Sequence, residues 1–170
     1  MNMTPTTRRR VVLGGLALGL AGCASSKFKT YDGPEVTHID LFKSDRTLLL
    51  YNGERVLKSY KVDLGFAPTG HKQFEGDGKT PEGKYIIDRR NPRSLFHLSI
   101  GISYPNEADV AFAKAKGREP GGEIFIHGGR RRNIDSIKPD WTAGCISVSD
   151  RQMEEIYSMV RDGTPIEIYS

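Results

Sequence analysis

A cysteine and a histidine stand in sequence contexts suited to covalent catalysis. Cys145 follows Gly144 in the run Thr-Ala-Gly-Cys-Ile-Ser, and His127 follows the apolar run Ile-Phe-Ile. A free thiol with a pKa of about 8.5 is mostly protonated at neutral pH, so a nucleophilic cysteine needs a base or a cation beside it. Glycine before the cysteine permits a tight turn that aims backbone N–H groups at a developing oxyanion. These segments predict a nucleophile and its base, if the fold brings them together.

The first 22 residues predict an export signal. They contain Arg8, Arg9 and Arg10, no acidic residue, and an apolar stretch at 11–20 that is too short to span a bilayer comfortably. Leu-Ala-Gly-Cys at 20–23 resembles a lipobox, in which Cys23 is acylated and becomes the new N-terminus; an ordinary cleaved signal is the alternative. The arginines also resemble a twin-arginine signal. Ala24 is typical of lipoproteins sorted to the outer membrane of a Gram-negative host, on the periplasmic side.

The charge balance depends on this leader. The sequence has 25 basic and 21 acidic residues, a net charge of +4, and loss of the three leader arginines leaves 22 against 21, or +1. The basic composition therefore does not argue for nucleic-acid binding. Lipidation of Cys23 would leave Cys145 without a disulfide partner. An unpaired thiol in an oxidising compartment favours a nucleophile over a small buried apolar residue.

The rest of the chain predicts a tether at 23–35 and one mainly β domain at 36–170. Two helices are predicted at 106–116 and 150–160, the second with Ser149 as its N-cap. Short strands with hairpin turns such as Asn52-Gly53 favour a β-sandwich or barrel with short peripheral helices. The predicted strands are 36–42, 46–51, 55–64, 84–89, 96–102, 123–127 and 164–169.

Four stretches, in order and over most of this domain, carry a family resemblance. The first is the hairpin at 40–65, and the second is the loop Lys-Gln-Phe-Glu-Gly-Asp-Gly-Lys-Thr-Pro-Glu-Gly at 72–83. The third is 96–106, with Phe-His-Leu-Ser and Ser-Tyr-Pro-Asn, and the fourth joins Ile-His-Gly at 126–128 to Trp-Thr-Ala-Gly-Cys-Ile-Ser at 141–147. A lone Gly-Cys pair is unspecific, but the ordered set resembles the L,D-transpeptidase catalytic domain (the YkuD or ErfK type).

The resemblance implies a monomeric periplasmic enzyme that remodels the peptidoglycan of the cell wall and affects cell shape. Such enzymes cleave the stem peptide between its diamino acid and the D-alanine that follows. Cys145 would form the thioester, and His127 would act as base and later as acid. The carbonyl of Gly128 or Gly129 would orient the imidazole, as a carboxylate does in serine-protease triads. The oxyanion hole would use backbone N–H groups of Ala143, Gly144 and Cys145.

Further site residues are predicted around this pair. Candidate substrate contacts are Tyr104, Trp141 and Thr142. Alternatives are an oxyanion contact for Tyr104, packing beside the nucleophile loop for Trp141, and a hydrogen bond within that loop or to the histidine for Thr142. No metal or organic cofactor is required, and the other histidines do not form a zinc-binding spacing. The expected partners are peptidoglycan stem peptides, a peptidoglycan-linked lipoprotein as a further candidate, and the membrane through the lipid anchor.

One departure from the family pattern leaves the acyl acceptor open. Better-known members carry arginine two residues after the catalytic cysteine, whereas this chain has Ser147. A small residue there resembles a branch that hydrolyses and releases a lipoprotein from peptidoglycan, so the acceptor is a stem-peptide amine, a lipoprotein lysine or water. Arg130, Arg131 and Arg132 either replace the lost cation or form a solvated loop. A non-catalytic peptidoglycan-binding lipoprotein is the remaining alternative.

Overall fold

The computed structural model describes residues 26–131, 135 and 138–170. The predicted leader with Cys23, the first residues of the predicted tether and Arg132 lie outside these residues. Two helices are present, α1 (Glu107–Ala115) and α2 (Asp150–Met159). The strands are β1 (His38–Phe42), β2 (Thr47–Asn52), β3 (Arg55–Lys61), β4 (Gly83–Asn91), β5 (Ser99–Ile102), β6 (Phe125–His127), β7 (Ile146–Ser147) and β8 (Pro165–Tyr169). The prediction of a mainly β fold with short helices is confirmed.

The strands form one sheet that curls into a half-barrel, in the order β3-β2-β1-β8-β4-β5-β6-β7. Most neighbours are antiparallel, but β1 pairs with β8 and β6 pairs with β7 in parallel. Each parallel pair joins segments that are distant in the chain. The second pair matters for function, because it places the strand that ends at His127 beside the strand that directly follows Cys145.

The core follows from the alternation of side chains along the strands. In β1 and β2 every second residue is buried, as expected for strands with one face turned inward. Helix α2 contributes one apolar face and contacts β5 and β6. Fully burying a large aliphatic side chain stabilises the fold by about 1.5–3 kcal/mol. The residues with no exposed surface include Leu41, Leu48, Leu50, Ile100, Ile126, Ile146 and Ile156.

Both helices begin with a capping box. The Ser149 hydroxyl accepts from the Gln152 N–H while the Gln152 side chain accepts from the Ser149 N–H, which confirms Ser149 as the N-cap of α2. Asn106 and Asp109 make the same reciprocal pair at α1. The backbone N–H groups at the start of α2 are thus partly satisfied without the side chain of Asp150.

Near Cys145 in the folded structure, two strands differ from the prediction. The predicted strand at 55–64 ends at Lys61, because the following segment leaves β2 and pairs with the chain around the cysteine through bridges at Asp63–Ser147 and Gly65–Thr142. Strand β7 was not predicted, since two residues are too short for a periodic pattern. These short pairings fix the loop that carries Cys145.

The described part of the predicted tether lies along the domain. The Lys27 ammonium donates to the carbonyls of Pro92 and His97 at 2.8 and 3.0 Å, and the Phe28 ring lies 6.3 Å from that of Tyr157. The tether stays a prediction, since its first residues are outside the described chain. Among the described residues, no helix combines the length and the apolar character that crossing a bilayer requires.

Candidate active site

The parallel pairing of β6 and β7 brings the predicted nucleophile and base onto one face of the sheet. Ile126 pairs with Ile146 and His127 with Ser147, and both isoleucines are fully buried on the core side. Side chains alternate along a strand, so His127 and Ser147 share the opposite face. Cys145 directly precedes β7, and its thiol lies beside the backbone N–H of Phe125, two residues before His127 on β6.

The loop before Cys145 is built around a glycine. Gly144 has a φ of 134°, and a Cβ there would lie 2.6 Å from the Lys79 carbonyl oxygen. The Thr142 hydroxyl donates to the Cys145 carbonyl at 2.7 Å and accepts from the Gly144 N–H at 3.2 Å. Of the roles predicted for Thr142, its burial and these hydrogen bonds support ordering of the loop.

The partly buried thiol of Cys145 lies beside the backbone of Glu123 and Phe125. Its hydrogen bond among the described residues is donated to the Glu123 carbonyl at 3.4 Å, and Glu123 has a left-handed φ of 55°. Burial raises the pKa of the Cys145 thiol, and the Phe125 backbone N–H opposes this only in part. At neutral pH the thiol is therefore protonated at rest, and its reaction needs a base.

His127 is oriented for that role. Its Nδ1 lies 2.7 Å from the Gly128 carbonyl oxygen, a contact that requires the proton on Nδ1 and leaves Nε2 as the basic nitrogen. The Phe96 ring stacks on the imidazole at 4.3 Å, and the Trp141 ring meets it edge-on at 5.7 Å. Burial lowers the pKa of His127, while the bond to Gly128 acts in the opposite sense. The imidazole is thus neutral at neutral pH.

The predicted oxyanion donors differ in their surroundings. The Gly144 N–H donates to the Thr142 hydroxyl in this structure, so it has to be shared or released to bind an oxyanion. Ala143 is exposed, and Cys145 begins the turn into β7. The oxyanion hole remains a prediction, with the Cys145 N–H as its central donor.

The two arginines predicted to replace the family cation are each paired with a carboxylate. Arg130 contacts Asp63 at 2.9 Å, and Arg131 contacts Asp135 at 2.8 Å. The Arg130 guanidinium also lies 5.7 Å from the Trp141 ring, and that of Arg131 lies 4.7 Å from the Phe96 ring. Each cation therefore lies against one of the two aromatic rings that contact His127.

A cavity of about 390 Å³ opens beside this cluster. Ser147, Trp141, Gly129 and Arg130 lie in its wall, together with Lys61. Its volume is within the range of small-molecule sites. Trp141 thus lies both at a cavity and against His127, and its role as a substrate contact stays a prediction.

Tyr104 is placed differently from its prediction as a substrate contact. The residue is buried, and its hydroxyl donates to the Pro120 carbonyl at 3.1 Å. Burial raises the pKa of Tyr104, and the nearby carboxylate of Asp109 acts in the same sense. Its burial and this hydrogen bond support a structural role for Tyr104.

Sequence reasoning did not assign three residues that contact the site. Phe96 stacks on His127, Glu123 accepts from the thiol, and Asp150 accepts from the Gly129 N–H at 2.9 Å. Asp150 was recognised only as the start of a helix, and nothing in its local pattern indicates a contact 21 residues away. Among the described residues, no group of three or more His, Cys, Asp or Glu side chains is arranged to hold a metal ion.

Comparison with known proteins identifies the relatives of this chain. YafK of Escherichia coli, provisionally named an L,D-transpeptidase, is 33% identical over 154 residues, which are 84% of this chain and 56% of YafK. YkuD of Bacillus licheniformis, also provisionally named an L,D-transpeptidase, is 28% identical over 123 residues, 72% of this chain and 59% of that relative. The chain thus spans less than two thirds of these curated relatives.

Solved structures show the same fold. The helical cell shape determining protein Pgp2 of Campylobacter jejuni has a TM-score of 0.61 at 25% identity, covering 81% of this chain and 49% of Pgp2. An L,D-transpeptidase of Xylanimonas cellulosilytica has a TM-score of 0.52 at 17% identity, covering 82% of this chain and 63% of that one, and supports the fold alone. The family model for the L,D-transpeptidase catalytic domain matches residues 36–168. The chain therefore belongs to the YkuD family of L,D-transpeptidase catalytic domains.

Proposed function

We propose that this protein is a cysteine L,D-transpeptidase that acts on the tetrapeptide stems of peptidoglycan. The observation that supports the proposal is the β6–β7 pairing, which places the strand that follows Cys145 beside the strand that ends at the buried His127, whose Nδ1 is bound to the Gly128 carbonyl. Acyl transfer through a thioester requires a nucleophile, a base and an acceptor that orients the base, and we assign these roles to Cys145, His127 and Gly128.

In the first half-reaction, the Nε2 of His127 takes the thiol proton as Sγ attacks the carbonyl of the diamino acid. Since the thiol rests on the Glu123 carbonyl, Cys145 first turns about its Cα–Cβ bond toward the imidazole. The C–N bond to D-alanine then breaks, and the imidazolium of His127 protonates the leaving amine. The products are a thioester on Cys145 and free D-alanine.

In the second half-reaction, an amine attacks the thioester carbonyl. His127 takes a proton from the amine, the C–S bond breaks, and the released thiolate recovers a proton from the imidazolium. The new amide joins the tripeptide stem to the acceptor. No external oxidant, reductant or energy source is needed, because one amide bond replaces another.

Hydrolysis of the same thioester is the second candidate. By the family resemblance, Ser147 stands where better-known members carry arginine. Arg130 and Arg131 are paired with Asp63 and Asp135. A site whose cations are engaged by carboxylates holds the carboxylate of an acceptor peptide less strongly, which favours water. The products would be a shortened stem peptide or a lipoprotein released from peptidoglycan.

We further propose an extracytoplasmic location, because the substrate of this family is peptidoglycan. A lipid anchor at Cys23 and placement on the periplasmic side of an outer membrane are part of this proposal and rest on the leader sequence. The structural likeness to Pgp2, a cell shape determining protein, extends the proposal to cell-wall remodelling that affects shape.

Product analysis tests the reaction. The purified protein and its Cys145→Ala variant are incubated with tetrapeptide muropeptides, or with sacculi that carry bound lipoprotein, and the products are identified by mass spectrometry. Cross-linked dimers that depend on Cys145 support the transpeptidase. Loss of D-alanine or release of lipoprotein without transfer supports the hydrolase. Sacculus binding that is equal in both proteins, with no product, would replace both with a non-catalytic binding lipoprotein.

A further inference from the structure

The peptide group between Gly128 and Gly129 is held by hydrogen bonds at both of its polar ends. Its carbonyl oxygen accepts from His127 Nδ1 at 2.7 Å and from the Ser147 hydroxyl at 3.2 Å. Its N–H donates to Asp150 Oδ1 at 2.9 Å. A carbonyl oxygen has two lone pairs, so these two donors use its full accepting capacity.

Ser147 reaches this carbonyl because of the strand register. It pairs with His127 across β6 and β7, and its backbone N–H and carbonyl are bonded to Asp63 at 2.8 and 2.9 Å. The residue is buried and is held between two strand segments. The backbone position of Ser147 is therefore fixed with its hydroxyl within hydrogen-bond distance of the Gly128 carbonyl.

Asp150 reaches the other end of the peptide group from the first position of α2. Ser149 and Gln152 cap this helix reciprocally, so the carboxylate of Asp150 is not required as the cap. The close approach also depends on Gly128, where a Cβ would lie 2.6 Å from Asp150 Oδ1 and 2.5 Å from the Phe96 carbonyl oxygen. A glycine at 128 is thus a condition for the contact.

We propose that Ser147 and Asp150 are positioning residues that fix the Gly128–Gly129 peptide plane and thereby keep the proton of His127 on Nδ1. Nε2 is then the nitrogen available to the thiol of Cys145. The proposal rests on the proposed function of His127 as the base. It gives the serine two residues after the nucleophile a task of its own, instead of treating it as a lost arginine.

The chemistry of the linkage is that of a catalytic triad with a peptide group inserted. Asp150 is exposed at one end of this linkage, whereas Gly128 and His127 are buried at the other. A carboxylate that accepts from an amide N–H polarises the attached carbonyl, because hydrogen bonds in a chain strengthen one another. The Gly128 carbonyl then accepts the Nδ1 proton more strongly than an unsupported carbonyl would. In serine-protease triads a carboxylate contacts the imidazole directly and fixes its tautomer; here Asp150 acts through one peptide group.

The test measures the tautomer and the reactivity of the pair separately. Nitrogen NMR of the full chain labelled at histidine reports whether His127 carries its proton on Nδ1 or Nε2, and iodoacetamide alkylation reports how readily Cys145 loses its proton. Ser147→Ala and Asp150→Ala should each populate the Nε2–H tautomer and slow alkylation roughly tenfold, as expected for one lost hydrogen bond. Ser147→Thr, which keeps the hydroxyl, should restore both readouts.

Two substitutions at Asp150 separate positioning from helix stability. Asp150→Asn keeps an acceptor oxygen and should preserve the tautomer, while Asp150→Glu keeps the charge at the start of α2 but displaces the acceptor and should disturb it. Matched controls are Glu107→Gln, which removes the acid at the first position of α1 and leaves Asp109 in place, and Thr164→Val, which removes a buried hydroxyl bonded to the Arg161 N–H. Both controls should leave the tautomer and the alkylation rate unchanged.

The outcomes distinguish this proposal from the proposed function. If every folded variant at 147 and 150 keeps the wild-type tautomer and alkylates within twofold of wild type, the positioning role is overturned, whatever the enzyme does to peptidoglycan. If the tautomer shifts as expected but the wild-type protein makes no Cys145-dependent product, the proposed function fails and the positioning role stands. Should Ser147→Ala not fold, the Asp150 series alone decides.

Discussion

Burial acts in opposite directions on the two reactive side chains. It raises the pKa of the Cys145 thiol and lowers the pKa of the His127 imidazole, because each neutral form is favoured away from water. The resting pair is therefore a thiol and a neutral imidazole, and the proton moves only when substrate is attacked. General-base catalysis describes such a pair better than a preformed ion pair does.

The pH dependence of acylation follows from this pair. Since the pKa of His127 is lowered, its imidazole stays neutral at pH values somewhat below the ordinary histidine pKa of about 6.5. The fall of the acylation rate at low pH, its acid limb, should therefore occur below that pH. Phe96→Ala removes the ring stacked on the imidazole, admits water and should move this limb upward. The rate of carbapenem acylation across pH, followed by intact-protein mass spectrometry, measures both.

The matched control is Leu95→Ala at the neighbouring position. Leu95 is 77% exposed, so this substitution removes an apolar side chain without uncovering His127. It should leave the acid limb in place. An acid limb well above pH 6.5 in the wild-type protein would contradict a neutral base and would indicate a stabilised imidazolium.

Among the structural elements, the segment at 142–147 does most to set the geometry of the site. It combines a glycine turn, the Thr142 hydrogen bonds and a two-residue strand between β6 and Asp63. The sequence indicated the glycine turn before Cys145 from its residue types alone. It did not indicate β7, since such a short strand depends on partners that are distant in the chain.

Substitution of the turn glycine should damage catalysis more than folding. Gly144→Ala forces an L-residue to a φ of 134° and places its Cβ 2.6 Å from the Lys79 carbonyl oxygen, so the loop must shift. We expect a loss of about 1–3 kcal/mol in the free energy of unfolding and at least a tenfold slower acylation of Cys145. Chemical denaturation and acylation kinetics measure the two effects.

Gly163→Ala provides the comparison for backbone strain alone. Gly163 has a φ of 89°, but nothing lies within 4 Å of a Cβ built there, and it is remote from the site. This variant should lose stability with no change in acylation rate. Equal acylation by Gly144→Ala and wild type would show that the position of the nucleophile does not depend on this turn.

For the whole molecule, one carboxylate connects the first hairpin to the segment that leads to Cys145. Asp140 accepts from the Arg46 guanidinium at 2.7 Å and from the Leu64 N–H at 3.0 Å. Burial alone would raise the pKa of Asp140, but the hydrogen bonds from Arg46 and Leu64 prevail and lower it. Folding therefore favours the charged form of this carboxylate.

Loss of that charge should destabilise the fold in a pH-dependent way. A lowered pKa in the folded state gives stability that is present above the ordinary Asp pKa of about 3.9 and is lost as the pH falls through the lower, folded value. Asp140→Asn should therefore lose about 1–2 kcal/mol at pH 7, and less in strong acid. Urea denaturation at both pH values is the measurement. An equal loss at both would assign the effect to side-chain packing.

The sequence predicted the class of the fold, which the structure confirms, and it indicated Cys145 and His127 as candidate reactive residues, whose roles stay predictions. Both signals are local. Strand alternation, hairpin turns and the N-cap at Ser149 are visible in short windows, as is the context of Cys145. Contacts such as Asp150 with Gly129 and Ser147 with Gly128 are not, because they depend on strand register and on how α2 packs. The placement of Tyr104 likewise depends on which face of its segment turns inward.

Direct observation of the acyl-enzyme tests the central proposal that Cys145 reacts with the stem peptide. The protein is mixed with a tetrapeptide muropeptide, quenched in acid, and analysed by intact-protein mass spectrometry with peptide mapping. We expect an added mass equal to the muropeptide less D-alanine, located on Cys145 and absent from Cys145→Ala. Stem-peptide products formed equally by wild type and Cys145→Ala, without an adduct, would contradict the thioester mechanism.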